Sequence, residues 1–510
     1  MTSNSQIEDR SSVRDGRGLR GVVAIGVAAV AAIAGFTIGA GITGSFVAAA
    51  PIAAAISAAA GVFVWKRPIV AYDPGATSRP LQVLSAVAAV AALGQFARLT
   101  VFMVAPQMGA YAMFPSSKWE VAHSCLTAYF VAGQAIPTAP NVYDDALHSL
   151  PGDPTKQRVP KTMGVFKIDA YEYPPPFLLL PRAVGLVAPD FLRLRMVWYG
   201  MTAGVLLVAM LAVARMLGPA AGTRAILLAP LVWAGIPMLN SLQKGNVQVL
   251  VIAISMLAMV LFARGRDAAG GALLGYACVA KIYPGMLVLY LILRRQWRAA
   301  VWTSALALMF LLLSFADTGI APMRAFVEHL PGILGGEAFP ALRNPAATGI
   351  NVSVPGLVFK AQLFGVPGMT FATSKLVGWI YTIVVIAAIA LAARRTLRDE
   401  EAPPVWLAIL ILATLRSPFL PQGYGVFTAT WLMTLVAARR PPTTKTILLV
   451  VLGWLCFNFY VPMDWGLAPR TLAITSSVPQ IAMVVVTILA LRRPAAANAA
   501  RAGETTPVAA

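Results

Sequence analysis

The sequence predicts an all-α polytopic membrane protein, a bundle of about 12–14 transmembrane helices with two large extracytoplasmic loops. Three observations lead there. Of the 510 residues, 58% are hydrophobic and 12% charged, where a soluble domain carries about 25% charged residues. Mean hydropathy is +0.74. The chain also divides into stretches close to the roughly 20 apolar residues that cross a bilayer, separated by short basic clusters such as Arg264 to Arg266 and Arg394 to Arg398.

The net charge of +20 does not point to nucleic acid. Its Lys and Arg lie in short clusters between apolar runs, as the positive-inside rule expects of cytoplasmic turns. Cys125, Cys278 and Cys456 are far apart and odd in number, so no disulfide framework or Cys-rich metal site is implied.

The elements follow in order. Residues 1–20 read as a cytoplasmic tail. Residues 21–80 hold an accessory hairpin, 21–43 and 46–64, and a cytoplasmic loop; the apolar stretch is too long for a signal-peptide core. Residues 81–104 lead outward into a polar loop, 105–195. Within it, the run Pro174 to Ala188 opens with three prolines and contains Pro181 and Arg182. A span there would invert every later basic cluster, so it is expected to lie along the outer surface or to re-enter. Spans are then expected near 196–214, 224–241, 247–264, 268–281, 284–294 and 299–316. After a second outer loop, 317–373, they resume near 374–393, 403–416, 424–438, 446–462 and 477–491 within a C-terminal block, 374–493. The Ala-rich segment 494–510 reads as a disordered tail.

This threading puts 11 of the 20 acids and all three histidines in outer segments, which is where the chemistry should lie. Asn240-Ser241-Leu242-Gln243-Lys244-Gly245-Asn246 is a short outer turn, and Gln243, Lys244 and Asn246 are candidate rim residues of a membrane-level cavity. Lys281-Ile282-Tyr283-Pro284 ends a Gly/Ala-rich span. A cation fixed there suits an anionic headgroup such as a lipid phosphate. Arg416, in Arg416-Ser417-Pro418, is a second cation at the same expected depth. Each lysine also has an ordinary reading as a snorkelling side chain. Among acids, Glu120 in Trp119-Glu120-Val121-Ala122-His123 is a candidate general base. Asp144, beside Tyr143, is the alternative. Tyr143-Asp144-Asp145 reads equally as a turn or a sugar-binding edge, and Tyr171-Glu172-Tyr173-Pro174-Pro175-Pro176 combines aromatics and an acid with a rigid Pro start, or is an interfacial anchor. Asn351 belongs to a polar patch, Asn344 to Pro355, in the second outer loop. No P-loop, HExxH or Cys/His zinc spacing is present.

These pieces together resemble the polytopic glycosyltransferases of the GT-C superfamily, in particular glycosyltransferase family 87, over roughly residues 81–440. The resemblance rests on Glu120, on Tyr143-Asp144, and on Tyr171-Glu172-Tyr173-Pro174-Pro175. It continues through Gln243-Lys244-Gly245-Asn246, Gly270-Gly271 through Gly275 to Lys281-Ile282-Tyr283-Pro284, and Arg294 to Arg298. The family's first-loop acid is usually Asp; here it is Glu. A His often follows its later Ser-Pro segment; here Gln422 and Tyr424 stand there.

The resemblance implies a GT-C-like catalytic core over 81–316. It implies an inverting transfer of a mannose-like hexose from a polyprenyl-phosphate donor to a glycan or glycolipid acceptor, at the outer face of a bacterial plasma membrane. Glu120 or Asp144 would be the base. Tyr143, Glu172, Tyr173, Gln243, Lys244, Asn246, Lys281, Asn351 and Arg416 would bind substrate. No cofactor is required, and a divalent metal is compatible but not implied. The competing readings are a transporter or flippase of lipid-linked glycans and a membrane scaffold. A transporter predicts internal repeats and helices broken at the bilayer midplane, and neither pattern is in the sequence.

Overall fold

The structure, a computed structural model, describes residues 3–492 except 137, 140 and 152–158, with side chains from residue 17. The expected tail 494–510 lies outside them. The fold is an all-α polytopic bundle with almost no strand. Among the described residues, seven helices are long and apolar enough to cross a membrane: Arg17–Thr43, Phe46–Lys66, Arg79–Val104, Phe191–Met216, Trp297–Thr318, Phe371–Ala393 and Pro469–Leu491. The first of these belongs to a helix that begins at Ser3, so the polar segment expected as a tail continues into it.

Fewer helices meet that measure than the 12–14 spans expected. The expected span 224–241 is two helices, Gly218–Trp233 and Ile236–Lys244, bent by 60°. Pro237 follows the break at Ala234-Gly235 and lacks the N–H that a continuous helix would need there. Other expected spans are short helices: Gln248–Ala263, Asp267–Ala280, Gly285–Leu293, Ala402–Thr414, Gln422–Ala438 and Thr444–Phe457. Gln248–Ala263, Ala402–Thr414 and Gln422–Ala438 are buried along almost their whole length. Neighbouring helices, rather than lipid, surround them. The run Pro174 to Ala188 is a 3₁₀ turn, Pro175–Leu178, and a helix of 7 residues, Leu179–Gly185, which is too short to span.

The basic clusters meet at one end of the bundle. Arg439 pairs with Glu401 at 3.5 Å, Arg224 Nε donates to Ala438 O, and Arg294 donates to Arg395 O. The described residues of the segments 105–190, 319–370, 415–424 and 458–468 gather elsewhere, around one large cavity. Chain alternation explains the separation: each apolar helix carries its polar flanks to opposite ends.

The first long loop is pinned by a small sheet. His123–Ser124 pairs in parallel with Phe166–Ile168, which pairs antiparallel with Thr162–Met163; His123 lies opposite Lys167 and Ser124 opposite Ile168. Arg195, 1% exposed, ties this loop to the bundle. It donates to Phe102 O at 2.7 Å and Met103 O at 2.8 Å, carbonyls at the end of Arg79–Val104. Its guanidinium lies 4.7 Å from the ring centroids of Phe102 and Phe166.

Candidate functional site

Glu120 sits on the five-residue helix Lys118–Ala122. Ser117 caps that helix, accepting from the Glu120 N–H at 3.0 Å. Asp464 fixes the cap from the far end of the chain. It accepts from Ser117 Oγ at 2.5 Å and from the Trp119 N–H at 2.9 Å. The Glu120 side chain is thereby turned inward.

It meets Lys244 there, at 2.6 Å, with both side chains almost fully enclosed. Lys244 ends the buried helix Ile236–Lys244, which stops because Gly245 takes φ +65°, a left-handed conformation that glycine adopts without cost. The other Glu120 oxygen accepts from Tyr460 OH at 2.6 Å. Gln243 binds the same loop through its backbone, accepting from the Met113 N–H at 2.7 Å and donating to Glu120 O at 2.9 Å.

The cavity beside this pair has a volume of about 1410 Å³. Its wall includes Glu120, Tyr143, Glu172, Tyr173, Lys244 and Asn246, and also Lys281 and Arg416. It therefore brings together most of the residues expected from the sequence, although they come from six separate places along the chain. Lys281 Nζ donates to Gln248 Oε1 at 3.0 Å and lies 5.2 Å from the Tyr173 ring centroid. Arg416 donates from Nε to Thr382 Oγ1 at 2.7 Å, with its guanidinium 5.6 Å from the Trp379 ring centroid. Gly378 makes room for it: a Cβ there would lie 2.9 Å from the guanidinium. Tyr143 stacks on His329 at 4.9 Å and donates to Tyr173 O at 2.7 Å.

Three expected residues are placed differently. The Asp144 carboxylate caps the turn Asp145–Leu147, accepting from the Ala146 N–H at 2.9 Å, and the residue is not part of the cavity wall. Gln243 lies behind the wall, holding the Glu120 loop as described. Asn351 is fully buried. It donates to Pro418 O and accepts from the Leu420 N–H, both at 2.9 Å. It clasps the second long loop to the Arg416 turn, a structural task that its neighbourhood in sequence does not reveal.

The wall also contains residues that the sequence did not single out. Asp169 is the foremost. The parallel pairing of 123–124 with 166–168 brings it beside Cys125, and its backbone N–H donates to Thr127 Oγ1 at 3.0 Å. Its Oδ2 is 3.5 Å from His123 Nε2, and the side chain is 33% exposed. Burial pushes its carboxyl up to about 7, while Lys244 and a hydrogen bond from Cys125 act in the opposite direction. Burial, with Asp169 adding to it and Lys281 opposing, pushes Glu172 well above the usual carboxylate range. His123 is held well below the usual histidine value by burial and by the positive charges of Lys244 and Lys167. Tyr460 is the other omission. It lies 340 positions from Glu120, and no local pattern links the two.

His123, Cys125 and Asp169 offer ligand atoms within 4.8 Å of one another, a donor set that suits zinc by type. The grouping exists only in the folded chain. Tyr424 OH lies 2.5 Å from His123 Nε2 and engages it as a hydrogen-bond partner. Asn246 Nδ2 donates to Cys125 Sγ at 3.3 Å, and burial pushes the Cys125 thiol up to about 12. These atoms form a hydrogen-bonded cluster, and we assign them no ion.

The arrangement has the parts for transfer of a group from an anionic donor: carboxylates to take a proton, cations to hold a leaving anion, and aromatic faces to pack on a ring. No curated protein and no solved structure matches the chain. Residues 171–418 match glycosyltransferase family 87. That segment holds Glu172, Tyr173, Lys244, Lys281 and Arg416, while Glu120, Asp169 and Tyr460 lie outside it. The match supports membership of the chain in glycosyltransferase family 87, and with it a multi-pass membrane glycosyltransferase of the GT-C type.

Proposed function

We propose that the protein moves a sugar, a mannose-like hexose, from a polyprenyl-phosphate donor to a glycolipid or glycan acceptor at the outer face of a bacterial plasma membrane, with inversion at the anomeric carbon. One observation carries this reading. The cavity that holds Glu120, Asp169 and Lys281 also reaches Ile282 and Trp379, apolar side chains that are 57% and 52% exposed on the flank of the bundle. A donor with a long isoprenoid tail needs such a route. The tail stays among lipids beside Gly285–Leu293 and Phe371–Ala393, while the phosphate and sugar enter the polar cavity.

Lys281 and Arg416 then face the donor phosphate. As the sugar–phosphate bond breaks, negative charge grows on the leaving phosphate, and fixed cations stabilise it more than they stabilise the ground state. Tyr143 and Tyr173 offer ring faces to the sugars, and Glu172 and Asn246 offer polar contacts. A cavity carboxylate takes the proton of the acceptor hydroxyl, whose oxygen attacks the anomeric carbon from the side opposite the phosphate. A single in-line displacement inverts that centre. Glu120 is the base expected from the sequence. The displacement needs no cofactor, and a divalent metal is not implied by it.

The experiment is a comparison of envelope glycolipids and glycans by mass spectrometry, with and without the protein. Loss of one hexose from a defined lipid or glycan is the expected result. Unchanged glycans together with a displaced lipid-linked precursor would instead favour a flippase.

A further inference from the structure

Two carboxylates of the cavity are held in opposite ways. Glu120 has no unengaged oxygen. Oε2 lies 2.6 Å from Lys244 Nζ, Oε1 accepts from Tyr460 OH at 2.6 Å, and the residue is 1% exposed. To take a proton from a hydroxyl, Glu120 would have to abandon an ammonium in an enclosed site, and an unpaired buried charge costs several kcal/mol. Its cap, Ser117 with Asp464, holds the backbone fixed as well.

Asp169 is fixed at the backbone, and its side chain takes a hydrogen bond from Cys125 but faces the cavity without a Lys or Arg partner. Thr127 Oγ1 accepts its N–H and itself donates to Ser124 O at 2.6 Å. That locks the strand end against the start of the helix Leu126–Ala135. The carboxylate faces the cavity, a third exposed, with the His123 ring at 3.5 Å. No Lys or Arg lies within ion-pair distance of it among the described residues.

We infer that Asp169 is the catalytic base, accepting the acceptor hydroxyl proton, and that the Glu120–Lys244 pair is the positioning element beside it. This rests on the glycosyl-transfer reading above. The proton passes from the hydroxyl to the Asp169 carboxylate. The freed oxygen pair forms the new bond to the anomeric carbon. The old bond breaks with its electrons going to the phosphate, which leaves as polyprenyl phosphate. Water afterwards removes the proton from Asp169.

The titratable groups that face Asp169 are Lys244, His123, Cys125, Glu172, Tyr173 and Tyr424. Burial raises its carboxyl to about 7 against the pull of Lys244, and a base near the operating pH is the efficient one. The environments of the two acids thus separate their tasks, one enclosed and ion-paired to Lys244, the other unpaired by Lys or Arg and facing the cavity.

The test uses the full chain in detergent, radiolabelled polyprenyl-phosphate mannose as donor and total membrane glycolipids as acceptor. Asp169→Asn should lower kcat by at least about 10²-fold with little change in donor KM, and Asp169→Glu should recover part of it. Asp169→Asn should also melt no lower than wild type at pH 8, because it removes a charge that burial disfavours. Transfer by Asp169→Asn within about threefold of wild type would overturn the inference and leave the glycosyltransferase reading standing. So would an inactive but folded Glu120→Gln beside an active Asp169→Asn. Absence of any transfer by wild type would remove both.

Discussion

Substituting Lys244 by Met removes an ammonium from an ion pair whose side chains are 3% and 1% exposed. Met has nearly the same length and fills the same space, so the loss is electrostatic rather than a cavity. At 2.6 Å, with an effective dielectric constant of about 20, the attraction is about 6 kcal/mol in gross terms. Desolvation of both ions offsets much of it. Removing one partner nevertheless leaves Glu120 charged with only the Tyr460 hydroxyl, and breaking a buried pair costs about 3–5 kcal/mol. Glu120→Gln should cost less, because an amide oxygen turned to Lys244 still accepts from the ammonium while the amide N–H donates to the Tyr460 hydroxyl oxygen. The double variant, Glu120→Gln with Lys244→Met, should be less destabilised than the sum of the two, with a coupling of at least about 2 kcal/mol. Equilibrium unfolding of the purified protein in mixed micelles measures all four corners of the cycle. A Lys244→Met variant within about 0.5 kcal/mol of wild type, or an additive double, would show that the pair is not enclosed and would refute the reasoning from burial.

Further expected outcomes follow the same geometry. Transfer should fall as pH drops below about 7, because a base must be unprotonated and burial raises the Asp169 carboxyl to about 7; an acid limb near pH 4 would contradict that. Lys281→Ala should lower kcat by about 10²–10³-fold with a normal melt, and Lys281→Arg should restore only part, since a planar guanidinium does not reproduce a point charge; wild-type turnover by Lys281→Ala would remove its assigned role. Asp464→Asn, which weakens the cap on Ser117 and Trp119, should lower stability by about 0.5–2 kcal/mol, read in the same micelle unfolding assay. Cys introduced at Val165 should react with an impermeant reagent on intact cells, and Cys at Arg394 only after permeabilisation; the reverse pattern would invert the proposed orientation.

Apolar run length by itself determined that the chain is an all-α membrane bundle, because no other fold class buries such composition. Basic clusters by themselves determined the alternation of the chain, and Arg224, Arg294 and Arg439 meet at one end accordingly. The turn Gln243 to Asn246 and the Lys281 segment were legible because polar groups beside long apolar helices are costly and stand out. Helix lengths were less legible. Hydropathy does not distinguish a helix facing lipid from one such as Ala402–Thr414, which is surrounded by protein. The sequence could not decide the division of labour among the acids. Asp144 and Asp169 look alike as loop residues, yet one caps a turn and the other opens into the cavity. That difference is set by strand pairing between positions 123–124 and 166–168, and by Tyr460 and Asp464 reaching back some 340 positions to the Glu120 helix. Burial, ion pairing and proton affinity are properties of those long-range contacts, so only the tertiary structure could assign them.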